Sequence, residues 1–248
     1  MANKILETQK NIFRKIYSCQ EYNLEIWREY LIQAILRLLR MEKGDVYLDI
    51  GCGSGYNIIE AAKKDIFSVG IDLSGEGIKK AKEFSRRVID RNVYYIISNA
   101  ECLPFKSQTF SKISNVQVLE HIENDTQAMG EMIRISKHKC RIFLSTINSI
   151  KNILLPLKPL FYIHEKKAGH VRGYMHEDII KYFREKNFRF VDLLYYTHAI
   201  KLIQDVLCSF FPSLKRQKSK LWRKITALDY GFKNLRTGWT VAVVVEKN

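Results

Sequence analysis

The chain is 248 residues long, 46% hydrophobic, and carries 41 Lys and Arg against 26 Asp and Glu, a net charge of +15. That length and apolar content suit one large α/β domain with a full core, and the lack of any run of about 18 uncharged apolar residues excludes a spanning helix. The charge favours anionic partners such as nucleic acid, acidic lipid or a phosphorylated substrate, and it is uneven, because residues 151–248 hold 19 Lys and Arg against 8 Asp and Glu, leaving +11 there and +4 before it.

The opening "MANKILETQKNIFRK" lacks the apolar core of a signal peptide, so cytoplasm is the default expectation, with a peripheral position at the inner face of a membrane as the variant that the charge allows. Residues 21–45, "EYNLEIWREYLIQAILRLLRMEKGD", place Leu24, Trp27, Leu31, Ile35 and Leu38 at three- and four-residue spacing before Gly44, which predicts a helix and makes 1–44 a helical cap. Short β-rich runs follow at 46–50, 67–72, 93–98, 111–116 and 140–146, separated by helix-like stretches at 55–64, 75–88 and 125–137. This alternation predicts a mainly parallel sheet with helices on both faces. After Thr146 the rhythm breaks into an irregular insertion, about 147–175, of the kind that often forms a lid. A helix from Glu177 to Lys186, a strand at 188–196, a second insertion at about 199–236 and the final strand "GWTVAVVVEK" would complete seven strands, the last antiparallel at or near an edge. Cys19, Cys52, Cys102, Cys140 and Cys208 are scattered, without metal-ligand spacing, and read as reduced, mostly buried thiols; no metal is expected.

Three of the 12 glycines, Gly51, Gly53 and Gly55, alternate in "YLDIGCGSGYN", directly after the first strand. Glycines at that place serve a sharp turn or the close approach of a nucleotide-containing ligand. Asp72 ends the second strand 17 residues after Gly55, where a carboxylate can accept both hydroxyls of a ribose. The dinucleotide pattern G-x-G-x-x-G is not met, and Asp49, two residues before Gly51, would repel a pyrophosphate but suits a cationic ligand.

This D-x-G-x-G-x-G pattern resembles the first motif of the class I S-adenosylmethionine-dependent methyltransferases, close to the methyltransferase type 11 domain. "NAECLPF" (99–105) resembles the family's third-strand motif, with Asn99 where an acid is usual, and "FSKISNVQVLEHIEND" (110–125) its fourth-strand motif, with Ser111 and Gln117 in place of acids. "TQAMGEMIRISKHKCRIFLST" (126–146) matches the next helix and strand, with His138 and Lys139 where Pro-Gly-Gly is common. The resemblance covers 45–146 well, which would be the cofactor-binding core, with 147–248 continuing the same domain. It implies a Rossmann-like, doubly wound fold and S-adenosylmethionine as cofactor, with S-adenosylhomocysteine as product. It places the cofactor on Asp49, Gly51, Cys52, Gly53, Gly55, Asp72, Leu73, Asn99, Ala100, Glu101 and Gln117. It also puts His121 near the methyl and Tyr17 at an aromatic lid over the cofactor.

On the acceptor side, "GHVRGY" alternates His170, Arg172 and Tyr174, so an extended backbone would aim all three at one face. Such a set binds or deprotonates an anionic or hydroxylated acceptor; the competing reading is a turn with a surface arginine. His121 and His170 are the candidate bases, although in-line methyl transfer can proceed on positioning alone. In the second insertion Ile200, Ile203, Val206, Leu207, Phe210 and Phe211 share a helical side, followed by six basic residues from Lys215 to Lys224 and by Trp222, a pattern that suits an anionic membrane surface across 200–224. The leading expectation is methyl transfer, through oxygen, to a small-molecule, lipid-linked or glycan acceptor. An RNA methyltransferase is the alternative, permitted by charge but without the Asn/Asp-Pro-Pro-aromatic motif of amino-group methylases, since the fourth strand ends "NVQV". A non-catalytic cofactor-binding protein is the third reading.

Overall fold

The computed structural model describes residues 25–89, 93–159, 161–162, 170–198 and 220–248, with the backbone alone for 220–222. Tyr17, Cys19, Cys208 and most of the proposed membrane segment, 200–222, lie outside the described residues or their side chains.

Seven strands form one sheet: β1 (Val46–Ile50), β2 (Phe67–Asp72), β3 (Val93–Ile97), β4 (Phe110–Val116), β5 (Ser136–Ile147), β6 (Phe188–Tyr196) and β7 (Thr240–Lys247). Their order is β3-β2-β1-β4-β5-β7-β6. The first five pair in parallel, whereas β7 runs antiparallel between β5 and β6. The last strand is therefore one place in from the edge, and β6 is the edge.

Helices cover both faces, as the alternation of strand and helix patterns predicts. On one side α1 (Ile26–Leu38), α2 (Tyr56–Ala62) and α3 (Gly75–Val88) bury Leu31, Ile35, Ile58, Ile59 and Phe84 against Tyr47, Phe143, Ala242 and Val244. On the other, α4 (Asp125–Ile135) and α5 (His176–Arg184) pack Met129, Met132, Ile179 and Phe183 on Leu48, Ile113, Ile142 and Val243. Along β1 the neighbours Tyr47 and Leu48 face opposite helical layers and are both fully buried, which explains why a doubly covered parallel strand reads as a continuous apolar run. A sixth helix, α6 (Lys220–Gly231), stacks Tyr230 on Tyr30 of α1 and on Tyr196 of β6.

Several boundaries differ from the sequence reading, most by one or two residues. The first helix starts at Ile26 rather than near residue 21 among the described residues, and α4 stops at Ile135 with β5 beginning at the next residue. There the Ser136 hydroxyl donates to the Met132 carbonyl, and the pairing shifts register between Phe110 with Ser136 and Lys112 with Arg141. Lys139 adopts a φ of +59° in this irregular stretch, at the position where the resemblance calls for glycine. Cys52 and Cys140 are buried as expected, but Cys102 is exposed.

Candidate active site

The strand order reverses between β1 and β4, which makes the carboxyl ends of these strands the place where an open α/β sheet leaves a crevice. Gly51, Gly53 and Gly55 sit there with φ of +74°, +51° and +80°, all in the left-handed region that a side chain disfavours. Close packing adds a second demand. A Cβ on Gly51 would come within 2.1 Å of a Val118 methyl, and one on Gly55 within 2.6 Å of the Tyr95 hydroxyl. The loop is tied down by the Gly51 and Cys52 amides, which both donate to the Ile71 carbonyl at 2.8 Å.

Asp72 closes the loop from β2. One carboxylate oxygen accepts the Gly53 amide at 2.7 Å and the other accepts the Ser74 amide at 2.8 Å. Burial raises its pKa, and the amides of Ser74, Gly53 and Leu73 oppose that shift by stabilising the anion. A carboxylate offers about four lone-pair sites, so with three amides bound roughly one remains for a further donor such as a ribose hydroxyl. Asp49 is wholly enclosed. It accepts from the Ser114 hydroxyl and, at 3.1 Å, from the Asn57 amide, while the Tyr47 hydroxyl contacts Ser114 at 2.5 Å. Burial lifts the Asp49 carboxyl to about 7 against the donated bonds of Ser114 and Asn57, with a further push from Asp72. Burial also raises the Cys52 thiol, which packs against Gly70 where a Cβ would lie 2.7 Å from its sulfur. Two carboxylates beside a glycine loop suit a nucleoside bearing cationic groups, and the residues present fit S-adenosylmethionine on that chemistry.

The third-strand motif builds a turn. The Asn99 side-chain oxygen accepts the Glu101 amide at 3.0 Å, Glu101 accepts the Asn124 amide at 3.1 Å, and Ala100 is buried. Gln117 takes a φ of +56° as β4 ends, with its amide nitrogen bonded to the Ser145 carbonyl at 2.9 Å. A single helical turn, Leu119–His121, follows.

On this turn the two separated histidines meet. The ring centroids of His121 and His170 are 4.7 Å apart at 61°. Glu120 between them in the fold is fully buried and accepts from the Thr146 hydroxyl at 2.8 Å. The stretch 170–174 is strapped over the turn: the Val171 amide donates to the Glu120 carbonyl, Arg172 donates to Asp125 and to the Glu123 carbonyl, and the Tyr174 hydroxyl donates to Asp125 at 2.7 Å. His170 thus meets His121, whereas Arg172 and Tyr174 direct polar atoms to Asp125 in holding the strap. Burial and the neighbouring Asp125 raise the Tyr174 hydroxyl pKa. Sequence reasoning missed Asn57, Ser114, Thr146 and Asp125, and it did not single out Glu120 as a site residue. Their partners lie up to 65 positions away, and only the Glu-His pair within "VLEH" offered a signal.

The family profile described as a methyltransferase domain matches residues 41–188, more than half of the chain. The chain is 33% identical over 91 residues to norajmaline N-methyltransferase of Rauvolfia serpentina, covering 36% of this chain and 31% of that protein. It is 29% identical over 143 residues to the ubiquinone biosynthesis O-methyltransferase of Bartonella quintana, covering 56% and 57%. The chain therefore spans about a third to somewhat over half of the length of these relatives. In fold it is similar to phosphoethanolamine N-methyltransferase 2 of Haemonchus contortus, solved in complex with S-adenosyl-L-methionine, with a TM-score of 0.65, 16% identity, and 88% of this chain and 52% of that chain covered.

Proposed function

The chain belongs to the methyltransferase-domain family, within the class I S-adenosylmethionine-dependent methyltransferases, and from that premise we propose that it methylates a hydroxyl oxygen of a small-molecule acceptor. The observation that carries the choice of oxygen is the Glu120, His121 and His170 group gathered on the turn next to the glycine loop. Val118, whose methyl abuts Gly51, and His121 are three residues apart on that turn, so the acceptor side adjoins the cofactor side.

S-adenosylmethionine, held by the glycine loop and Asp72, would supply a methyl carbon already activated by its sulfonium. The chain's own residues bind and orient. Asp72 takes a ribose hydroxyl with its remaining lone-pair site, and the loop of Gly51, Gly53 and Gly55 lets the backbone approach closely. Asp49 holds Asn57 and Ser114 behind the loop and so fixes its shape. The Asn99 turn, through Ala100 and Glu101, supports the base. At the acceptor, His121 and His170 would receive or pass on the hydroxyl proton, with the strap holding His170 beside His121. The O-methyltransferase relative supports this choice, whereas the norajmaline relative acts through nitrogen by its name.

A labelled-methyl transfer screen against phenolic and other hydroxylated small molecules, lipid, glycan and RNA fractions tests it. Label entering small hydroxylated compounds, with an alkali-stable ether linkage, is the expected result. Label entering only RNA overturns the acceptor class, and transfer to amines overturns the choice of oxygen.

A further inference from the structure

We propose that Glu120, His121 and His170 form a binding site for one divalent transition-metal cation on the acceptor side of the pocket. Each of the three offers one ligand atom, and these atoms lie within 4.8 Å of one another. Around a single cation with bonds of about 2.1 Å, tetrahedrally arranged donors stand about 3.4 Å apart. The site therefore needs to close by only about an ångström or so, within reach of side-chain rotation by the two half-buried histidines.

Three features make this a built site rather than a chance meeting. Glu120 is wholly buried, so its carboxyl group is held inside the fold rather than free in solvent. Its Oε2 accepts the Thr146 hydroxyl at 2.8 Å, which orients the carboxylate from behind, as the outer-shell partners of metal ligands do. The segment bearing His170 is pinned to Glu120 itself by the Val171 amide at 2.8 Å from the Glu120 carbonyl. Arg172 on the strap pairs with Asp125 at 3.0 Å. Two imidazoles and one carboxylate favour zinc, iron, cobalt or nickel over magnesium, whose preference is an all-oxygen shell.

Three protein ligands leave coordination positions for water or an acceptor oxygen. A hydroxyl bound there would have its pKa lowered by the cation and release its proton to solvent, so the histidines would act as ligands rather than as bases. That role rests on the proposed O-methylation, but the site itself does not.

The full chain, stripped of metal with a chelator and free of cofactor and acceptor, should be titrated with Zn2+ by calorimetry and with Co2+ by visible absorption. One Zn2+ per chain and a Co2+ ligand-field spectrum are expected, with affinity about tenfold or more weaker in His170→Ala and in Glu120→Gln, and unchanged in His138→Ala. Circular dichroism checks that each variant folds; His170→Ala decides the matter should Glu120→Gln fail to fold. No binding by the folded chain, or equal affinity in His170→Ala, overturns the site and leaves a histidine-carboxylate ion pair. Because neither cofactor nor acceptor is present, that result leaves methyl transfer standing. Zinc binding without methyl transfer in the screen above would overturn the functional reading alone.

Discussion

Asp49 shows how a residue legible in the sequence can carry a property that is not. Its place before the glycines marks it as part of the loop motif, but its partners Ser114 and Asn57 are set by the pairing of β1 with β4 and by the start of α2. Burial raises its folded pKa to about 7 from about 3.8. The sign follows from proton counting. Between those values the native state holds a proton that the unfolded chain has released, so stability from this group is full below about pH 4 and declines as pH rises through 7. The cost is a few kcal/mol at most, at about 1.4 kcal/mol per unit. His176 and His198 have pKa values lowered by burial and act in the opposite direction, so the useful quantity is a difference between proteins. Asp49→Asn, which has no proton to lose, should gain on the wild type in melting temperature from pH 5 to pH 8. Parallel pH profiles would show that the carboxyl is not held protonated. The glycines, by contrast, were legible in both position and reason, since each sits at positive φ where the motif puts it.

Among the elements, most strands were legible because β-branched and aromatic runs covered on both faces leave little ambiguity. Val46–Ile50, Phe67–Asp72 and Phe188–Tyr196 have the bounds that their apolar runs predict. The start of β5 was not, because it depends on Ser136 turning back to Met132 and on Lys139 accepting a left-handed backbone. The strap was half legible. Alternation in "GHVRGY" predicts a shared face, but not that Asp125, 47 and 49 positions away from Arg172 and Tyr174, would receive both. Removing this anchor tests what the strap does. Asp125→Ala loses a hydrogen bond from a buried tyrosine to a charged acceptor, on the order of 1.5–3 kcal/mol, and a half-exposed arginine pair contributing less than about 1 kcal/mol. Turnover should fall by about tenfold or more, since small misplacement of reacting groups is costly, while calorimetric affinity for S-adenosylhomocysteine stays within about twofold. Equal losses in both would make the strap a general stabiliser rather than an acceptor-side device.

At the scale of the whole molecule, the half of the chain after residue 150 carries most of the net charge. The insertion that follows β5 leaves the sheet at its carboxyl end, where it exposes Leu154, Leu155 and Tyr162 beside Lys151 and Lys158; Leu155 is 78% exposed. Asn148 clamps this insertion by donating to the Arg236 and Gly238 carbonyls, so it is fixed against the C-terminal part of the chain. No helix among the described residues is long and apolar enough to cross a membrane. Exposed apolar residues within a half carrying +11 instead suit attachment to an acidic surface, to which each basic residue near it contributes roughly 1 kcal/mol. The chain should sediment with vesicles containing phosphatidylserine at about 0.1 M salt and be released near 1 M, as the Debye length falls from about 10 Å to about 3 Å. Replacing Leu154 and Leu155 together with serine should weaken attachment several-fold, because apolar insertion adds to the electrostatic attraction. Equal partitioning to neutral vesicles would remove the electrostatic argument. Salt-sensitive binding to RNA without vesicle binding would reassign the positive surface to a nucleic-acid acceptor.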